Sequence, residues 1–263
     1  MVDVQAMKDD RRVPIQKVGV KGARYPITLL DRRHGKQYTT ATVNLFADLP
    51  HEFKGTHMSR FIEVFEAYRS DLSMPRFLAM LEEIRTSLGA RTAYADLHFP
   101  YFIEKKAPVS GQSAVMSYDC AYIGKVWEGG SEYDVSVSVP VQTVCPCSKA
   151  ISDYGAHNQR GIVTLTVALG PFFWIEDLVA LVEESASSGV YTLLKREDEK
   201  FITERAFDNP RFVEDLVREV YLKVGNLGKF PSYSVEAENF ESIHNHSAYA
   251  YVTSKAEGEI DGI

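Results

Sequence analysis

Cysteine is scarce in this chain. Three thiols in 263 residues, two of them a single residue apart, do not make a disulfide framework. That exclusion points to a reducing compartment, the cytoplasm. Long apolar runs are missing too. No segment approaches the uninterrupted length of a membrane span. Residues Met1 to Arg12 are polar and mixed in charge, without the apolar stretch of a signal peptide. A surplus of positive charge is also absent: the formal net charge is −7, so nothing marks a general nucleic-acid binder. An anionic substrate would need a local basic pocket in an acidic protein.

What is present is an ordinary globular composition, 45% hydrophobic and 11% aromatic, on a chain long enough to bury its own core. The seven histidines are unevenly spread. Three of them, with two of the cysteines, fall in two short polar stretches, Cys145 to Arg160 and Glu241 to His246. Thiolate, imidazole and carboxylate are the ligands of a borderline divalent metal.

The hydrophobic pattern predicts strands over Tyr25–Leu30 and Tyr38–Leu49, around a polar turn at Arg32–Lys36. A helix follows from about Ser59 to Arg69, with Phe61, Val64, Phe65 and Tyr68 on one face. A second starts after Ser73, an N-cap residue type, and closes at Gly89. Thr92–Ile103 and Ala114–Trp127 alternate as strands, joined by a loop over Glu104–Gly111; Cys120 reads as a core thiol. The pattern then restarts after Glu128-Gly129-Gly130-Ser131. Strands are expected at Tyr133–Val144 and Gly161–Leu169, helices at Ile175–Ser187 and Arg211–Val224, and strands at Tyr233–Asn239 and Ser247–Thr253. The order strand-strand-helix-helix-strand-strand thus occurs twice, which argues an α+β protein of antiparallel sheets backed by paired helices. The two units span 14–128 and 129–253, with flexible tails at 1–13 and 254–263. Irregular loops are expected at Cys145–Arg160, Ser188–Pro210 and Phe240–His246, and loops on a rigid scaffold commonly carry chemistry.

Each constellation has a plain and a chemical reading. Cys145-Pro146-Cys147 suits two small buried residues at a strand end, or two thiols offered to a metal. His157 alone suits a structural role. His244 and His246 are two apart and share a face on a strand; with Glu241 they look more like a metal or acid–base cluster than a solvated turn. Lys195–Lys200 is a charge run of the kind that is commonly solvated. Here it also offers a carboxylate ligand and cations for phosphate. Glu214, in a first helical turn, either complements the helix dipole or accepts two parallel donors such as guanine N1–H and N2–H. Lys54-Gly55-Thr56-His57-Met58-Ser59-Arg60 is an ordinary helix start, or an anion site built from Lys, His, Arg and free amides.

Together these segments resemble the prokaryotic type IB GTP cyclohydrolase family. The likeness runs almost end to end. It covers Lys54-Gly55-Thr56-His57-Met58-Ser59-Arg60-Phe61, Ala107-Pro108-Val109-Ser110-Gly111, Val144-Cys145-Pro146-Cys147-Ser148-Lys149 and Tyr154-Gly155-Ala156-His157-Asn158-Gln159-Arg160. It continues through Lys195-Arg196-Glu197-Asp198-Glu199-Lys200, Asn209-Pro210-Arg211-Phe212-Val213-Glu214-Asp215 and Glu238 to Tyr251.

The resemblance implies the tunnelling fold (T-fold), with two fused units per chain and a homotetramer whose active sites lie at subunit interfaces. It implies a reaction that converts GTP and water to 7,8-dihydroneopterin triphosphate and formate, for folate and 7-deazaguanine synthesis. Carried over by motif, Cys145, His157, Glu199 and His244 are the expected ligands of a divalent metal, zinc or manganese. Cys147, His246 and Glu241 are expected to move protons or touch substrate, and Glu214 to anchor guanine. His57, Arg60, Lys149, Arg160 and Arg196, with Lys54, are expected around the triphosphate. Three other readings compete: an archaeal-type cyclohydrolase releasing a cyclic phosphate, a nitrile reductase of the same fold, and a zinc-stabilised interaction module.

Overall fold

The computed structural model describes residues 5, 7 and 9–255. The tail expected at 254–263 therefore lies outside the described residues beyond residue 255, and that expected at 1–13 is described only in part. The chain forms two compact units. One comprises Met1–Pro100 and Cys120–Val135; the other comprises Tyr101–Asp119 and Ser136–Ile263. The boundaries 14–128 and 129–253 follow element order, a different criterion from compactness.

The first unit opens with β1 (Ile15–Asp31) and β2 (Gly35–Leu49), a long antiparallel hairpin in which Thr28 faces Tyr38 and Val43 faces Ala23. Helices α1 (Met58–Tyr68) and α2 (Met74–Ser87) follow, then β3 (Thr92–Lys106) and β4 (Ser113–Trp127), whose portions 101–106 and 113–119 belong to the second unit. β3 pairs with β2 in antiparallel register, Leu45 against Ala95. Phe61, Phe65, Phe77, Leu81 and Ile84 are fully buried on the helix faces that their 3–4 spacing predicts. Each contributes roughly 1.5–3 kcal/mol by leaving water. Phe77 stands edge-on to Tyr133 with ring centroids 5.0 Å apart. It presses so close to β4 that a Cβ on Gly124 would lie 2.4 Å from its ring, so this strand position has room only for glycine. Ser73 is the N-cap of α2, as expected, but its side chain makes no capping bond. Cys120 is buried.

The second unit contains most of β5 (Gly130–Val144), then α3 (Pro146–Ile151), β6 (Asn158–Ala168), α4 (Ile175–Glu183), β7 (Ser188–Gly189), α5 (Arg196–Asp208), α6 (Val213–Leu227), β8 (Tyr233–Asn239) and β9 (Ala248–Thr253). Strands introduced with the first unit follow the order β1-β2-β3-β4 and those of the second the order β5-β6-β8-β9, with β7 added to β5. Val137, Val139 and Val141 of β5 alternate inward. Val163 and Leu165 of β6, and Leu216, Val220 and Val224 of α6, complete this core. α6 stops at Gly228, whose φ of 60° is the left-handed cap favoured by glycine.

Two expected loops carry more structure than the sequence suggested. Cys145–Arg160 contains α3 and the start of β6. Ser188–Pro210 contains β7 and a 13-residue helix, α5. The reason is legible afterwards: α5 buries only Asp198, Ile202 and Ala206, so its apolar stripe is too thin to register as a periodic signal. β3 also runs on to Lys106, which shortens the loop expected from Glu104.

Candidate active site

Backbone pairing gathers the polar loops of the second unit. β6 and β8 pair so that Gly161 faces Asn239, and β8 and β9 so that Asn239 faces Ala248. The 240–247 loop therefore leaves the sheet where β6 begins. A Cβ on Gly161 would lie 2.3 Å from Asn239 Oδ1, so the buried Asn239 side chain occupies the space above a glycine. Three bonds stitch the rest. Cys145 N–H donates to His157 C=O at 3.1 Å, Arg211 N–H to Val144 C=O at 3.0 Å, and Phe240 N–H to Arg160 C=O at 2.9 Å. The Cys145, His157, Arg211 and Glu241 segments are thus held at one place on the unit.

Cys145 caps α3, its Sγ accepting from Ser148 N–H at 3.4 Å. Ser148 Oγ accepts from His157 N–H at 3.1 Å, a second tie between the thiol segment and the histidine. His157 Nδ1 meets Gln159 Oε1 at 3.0 Å and lies 3.7 Å from Glu241 Oε2. The His157 and Glu241 side chains are only 16% and 14% exposed, so this contact is largely shielded from solvent. Two oxygens facing Nδ1 favour the tautomer that carries its proton there, in which the Nε2 lone pair is available. Gln159 is itself buried and fixed by Nε2 donating to Thr143 Oγ1 at 2.8 Å.

The remaining expected residues are more open. Cys147 is exposed at the start of α3, and Glu199 is exposed in the first turn of α5. His244 and His246 are exposed and stack with ring centroids 5.1 Å apart. Glu214 is exposed in the first turn of α6, where Asp215 rather than Glu214 caps the helix by accepting from Phe212 N–H at 3.1 Å. Arg160 and Arg196 are exposed. Lys149 Nζ donates to Phe207 C=O and sits 4.2 Å from the centroid of that ring. His57 and Arg60 belong to the other compact unit: His57 is the N-cap of α1, and Arg60 Nη1 donates to Ser87 C=O at 2.7 Å. Among the described residues, no three His, Cys, Asp or Glu side chains are gathered closely enough to hold a metal ion. Cys145 and His157 are locked together through the backbone; Glu199 and His244 are not drawn in with them.

Sequence reasoning assigned no role to Gln159, Ser148 or Asp198. Gln159 sits at an inward position of β6, and a buried amide beside a histidine is a signal for a hydrogen-bonded ring. Asp198 is fully buried. Burial alone would push its carboxyl up, but the Ser110 hydroxyl and the Ser110, Lys195 and Val109 amides hold it well below the usual carboxylate range.

Comparison with known proteins gives the family. A sequence model of the family described as type I GTP cyclohydrolase folE2 matches residues 1–250. The chain belongs to the type I GTP cyclohydrolase family. It is accordingly an enzyme acting on GTP. It is 54% identical over 252 residues to GTP cyclohydrolase FolE2 of Syntrophus aciditrophicus (strain SB), covering 96% of this chain and 99% of that one. It is 52% identical over 252 residues to the FolE2 of Geobacter sulfurreducens, covering 96% and 97%. Among solved structures, the uricase of Arthrobacter globiformis superposes with a TM-score of 0.53 at 6% identity, covering 94% of this chain and 96% of that one. That likeness concerns the fold alone, an α+β architecture with an antiparallel sheet.

Proposed function

We propose that this cyclohydrolase opens the imidazole ring of GTP to give 7,8-dihydroneopterin triphosphate and formate, the entry to folate synthesis and to 7-deazaguanine supply. The observation that carries the reading is the His157 environment. Its Nδ1 is engaged by Gln159 and Glu241, and its main chain is bonded to Cys145. The thiol-bearing segment of Cys145 and Cys147 and the His157 segment are thus held side by side, with Glu241 and the 240–247 loop next to His157.

By residue type the donor set suits a divalent ion such as zinc or manganese, with thiol, imidazole and carboxylate from Cys145, His157, Glu199 and His244, although the described residues of one chain do not gather the four. Such an ion, when bound, supplies a Lewis acid that makes water acidic near neutral pH. The chain's own groups do the rest. Glu214 accepts guanine N1–H and N2–H and so sets C8 toward Cys147 and His157. Cys147, His246 and Glu241 move protons as water adds to C8, the C8–N9 bond breaks and the formyl group is hydrolysed. Two waters enter, formate leaves with C8, and closure of the pterin ring after rearrangement of the ribose releases one water. Arg160 and Arg196 meet the triphosphate, with His57 and Arg60 supplied by a neighbouring subunit. Lys149 does so by leaving Phe207.

The element order supports two tunnelling-fold units, 14–128 and 129–253, fused in one chain. The reading extends to a homotetramer with active sites at subunit interfaces, working in the cytoplasm without nucleic-acid or membrane partners. No helix among the described residues is long and apolar enough to cross a membrane. The test is phosphorus NMR of the product. The expected result is an intact linear triphosphate on the pterin; a cyclic phosphate would overturn the reading in favour of the archaeal-type reaction.

A further inference from the structure

The Ala107–Gly111 stretch has no part in the chemistry above, and Asp198 is a buried carboxylate between two exposed ones. The structure joins them. Asp198 Oδ1 accepts from Val109 N–H at 2.8 Å and Ser110 N–H at 2.9 Å. Its Oδ2 accepts from Ser110 Oγ at 2.6 Å and Lys195 N–H at 2.9 Å. Four donors thus converge on one fully buried side chain. Three come from the β3–β4 turn and one from the residue that starts α5. The turn is itself closed by Ala107 N–H to Gln112 C=O at 2.9 Å, with Gly111 at a φ of 69°.

The segment leading into α5 is tied to the same hairpin at two earlier points. Lys105 Nζ donates to Val190 C=O at 2.7 Å, and Thr192 Oγ1 donates to Val115 C=O at 3.0 Å. Asp198 is the last anchor, adjacent to Glu199. We infer that Asp198, through Ser110, is a positioning residue. It fixes the first turn of α5 on the 107–111 turn, so that Glu199 is held for metal. This rests on the reading of Glu199 as a ligand. Glu199 is exposed, and among the described residues its hydrogen bonds are through its main chain: its N–H donates to Lys195 C=O and its C=O accepts from the Thr203 hydroxyl. Its placement is therefore set by the backbone beneath it, and the Asp198–Ser110 junction is what fixes that backbone. An aspartate at 198 takes four donors; an asparagine there would set its NH2 against the Lys195 N–H in one orientation, or against the Val109 and Ser110 N–H groups in the other.

The test is cobalt(II) binding to metal-free protein, read by chelator competition and by the thiolate–cobalt absorption band. The variants are Ser110→Ala, Asp198→Asn, Glu199→Gln and, as a calibration of general destabilisation, Val64→Ala in α1 of the other unit. Ser110→Ala and Asp198→Asn should each weaken cobalt binding roughly tenfold or more, as loss of an outer support does, and shift the band. The double variant should be no worse than Asp198→Asn alone. If Asp198→Asn does not fold, Ser110→Ala decides. Parent-like cobalt affinity in Ser110→Ala, with Glu199→Gln losing it, overturns the positioning role and leaves the ligand reading intact. The role is equally overturned if Val64→Ala weakens cobalt as much at equal loss of apo melting temperature. Parent-like affinity in Glu199→Gln removes the ligand reading, and this inference with it.

Discussion

Glu183, at the end of α4, holds the second unit together by an ion pair that water barely reaches. Its Oε1 accepts from Lys105 Nζ at 2.6 Å and from Tyr118 OH at 2.9 Å. The Lys105 and Glu183 side chains are 14% and 16% exposed. Burial pulls the Lys105 ammonium below its usual range, with Glu183 pulling it back up. Burial and the Glu183 charge together push the Tyr118 hydroxyl far up, so it remains a donor. Removing the carboxylate strands a buried cation that also lies 4.0 Å from the Tyr191 ring centroid. Breaking such a pair costs about 3–5 kcal/mol, whereas replacing both partners by apolar residues of similar volume is near neutral. Glu183→Leu should therefore lose ~3–5 kcal/mol in urea unfolding at fixed protomer concentration. Lys105→Met with Glu183→Leu should return to within ~1–2 kcal/mol of the parent. A single variant losing less than ~1 kcal/mol, the range of a surface pair, or a double variant as unstable as the single one, would refute the claim that the pair is buried and coupled.

Other outcomes follow from the site. Cys145→Ala should lose bound metal, while Cys147→Ala should keep metal and lose formate release; metal analysis beside a formate assay separates them, and the reverse pattern would exchange the two roles. Glu214→Gln should weaken GTP use with metal content unchanged, since two charge-assisted bonds to guanine are worth about 1.5–3 kcal/mol each; competition of GTP against ATP and inosine triphosphate checks this, and undiminished discrimination would place the guanine anchor elsewhere. The low-lying Asp198 carboxyl stabilises the fold above the ordinary carboxylate range and loses that contribution as pH falls below about 4. Asp198→Asn should flatten the acid limb of stability against pH, and an unchanged slope would show that the four donors do not favour the ionised form.

Much of this was legible in the sequence because alternation and 3–4 spacing are strong where a face is buried. Val135 to Val141 declare β5, and Leu216, Val220 and Val224 declare α6. α5 was missed because its inward face holds Asp198, Ile202 and Ala206, a stripe in which the decisive residue is charged. Its pairing with Ser110 lies 88 residues away, and no local pattern reports a contact at that range. The site residues stood out as residue types in motifs. Their geometry did not: that Gln159 and Glu241 both face His157 Nδ1 depends on the β6–β8 register, which only the folded sheet fixes.

The central claim is that the residues around His157 open guanine at C8. Its most direct measurement uses GTP labelled with ¹⁴C at C8, with the parent and His157→Ala assayed side by side for labelled formate and bound metal. The account predicts one labelled formate for each unlabelled pterin triphosphate in the parent. It predicts loss of both formate release and metal in His157→Ala, with the fold unchanged by circular dichroism. Label retained in the pterin, or full formate release by a folded His157→Ala, would contradict it.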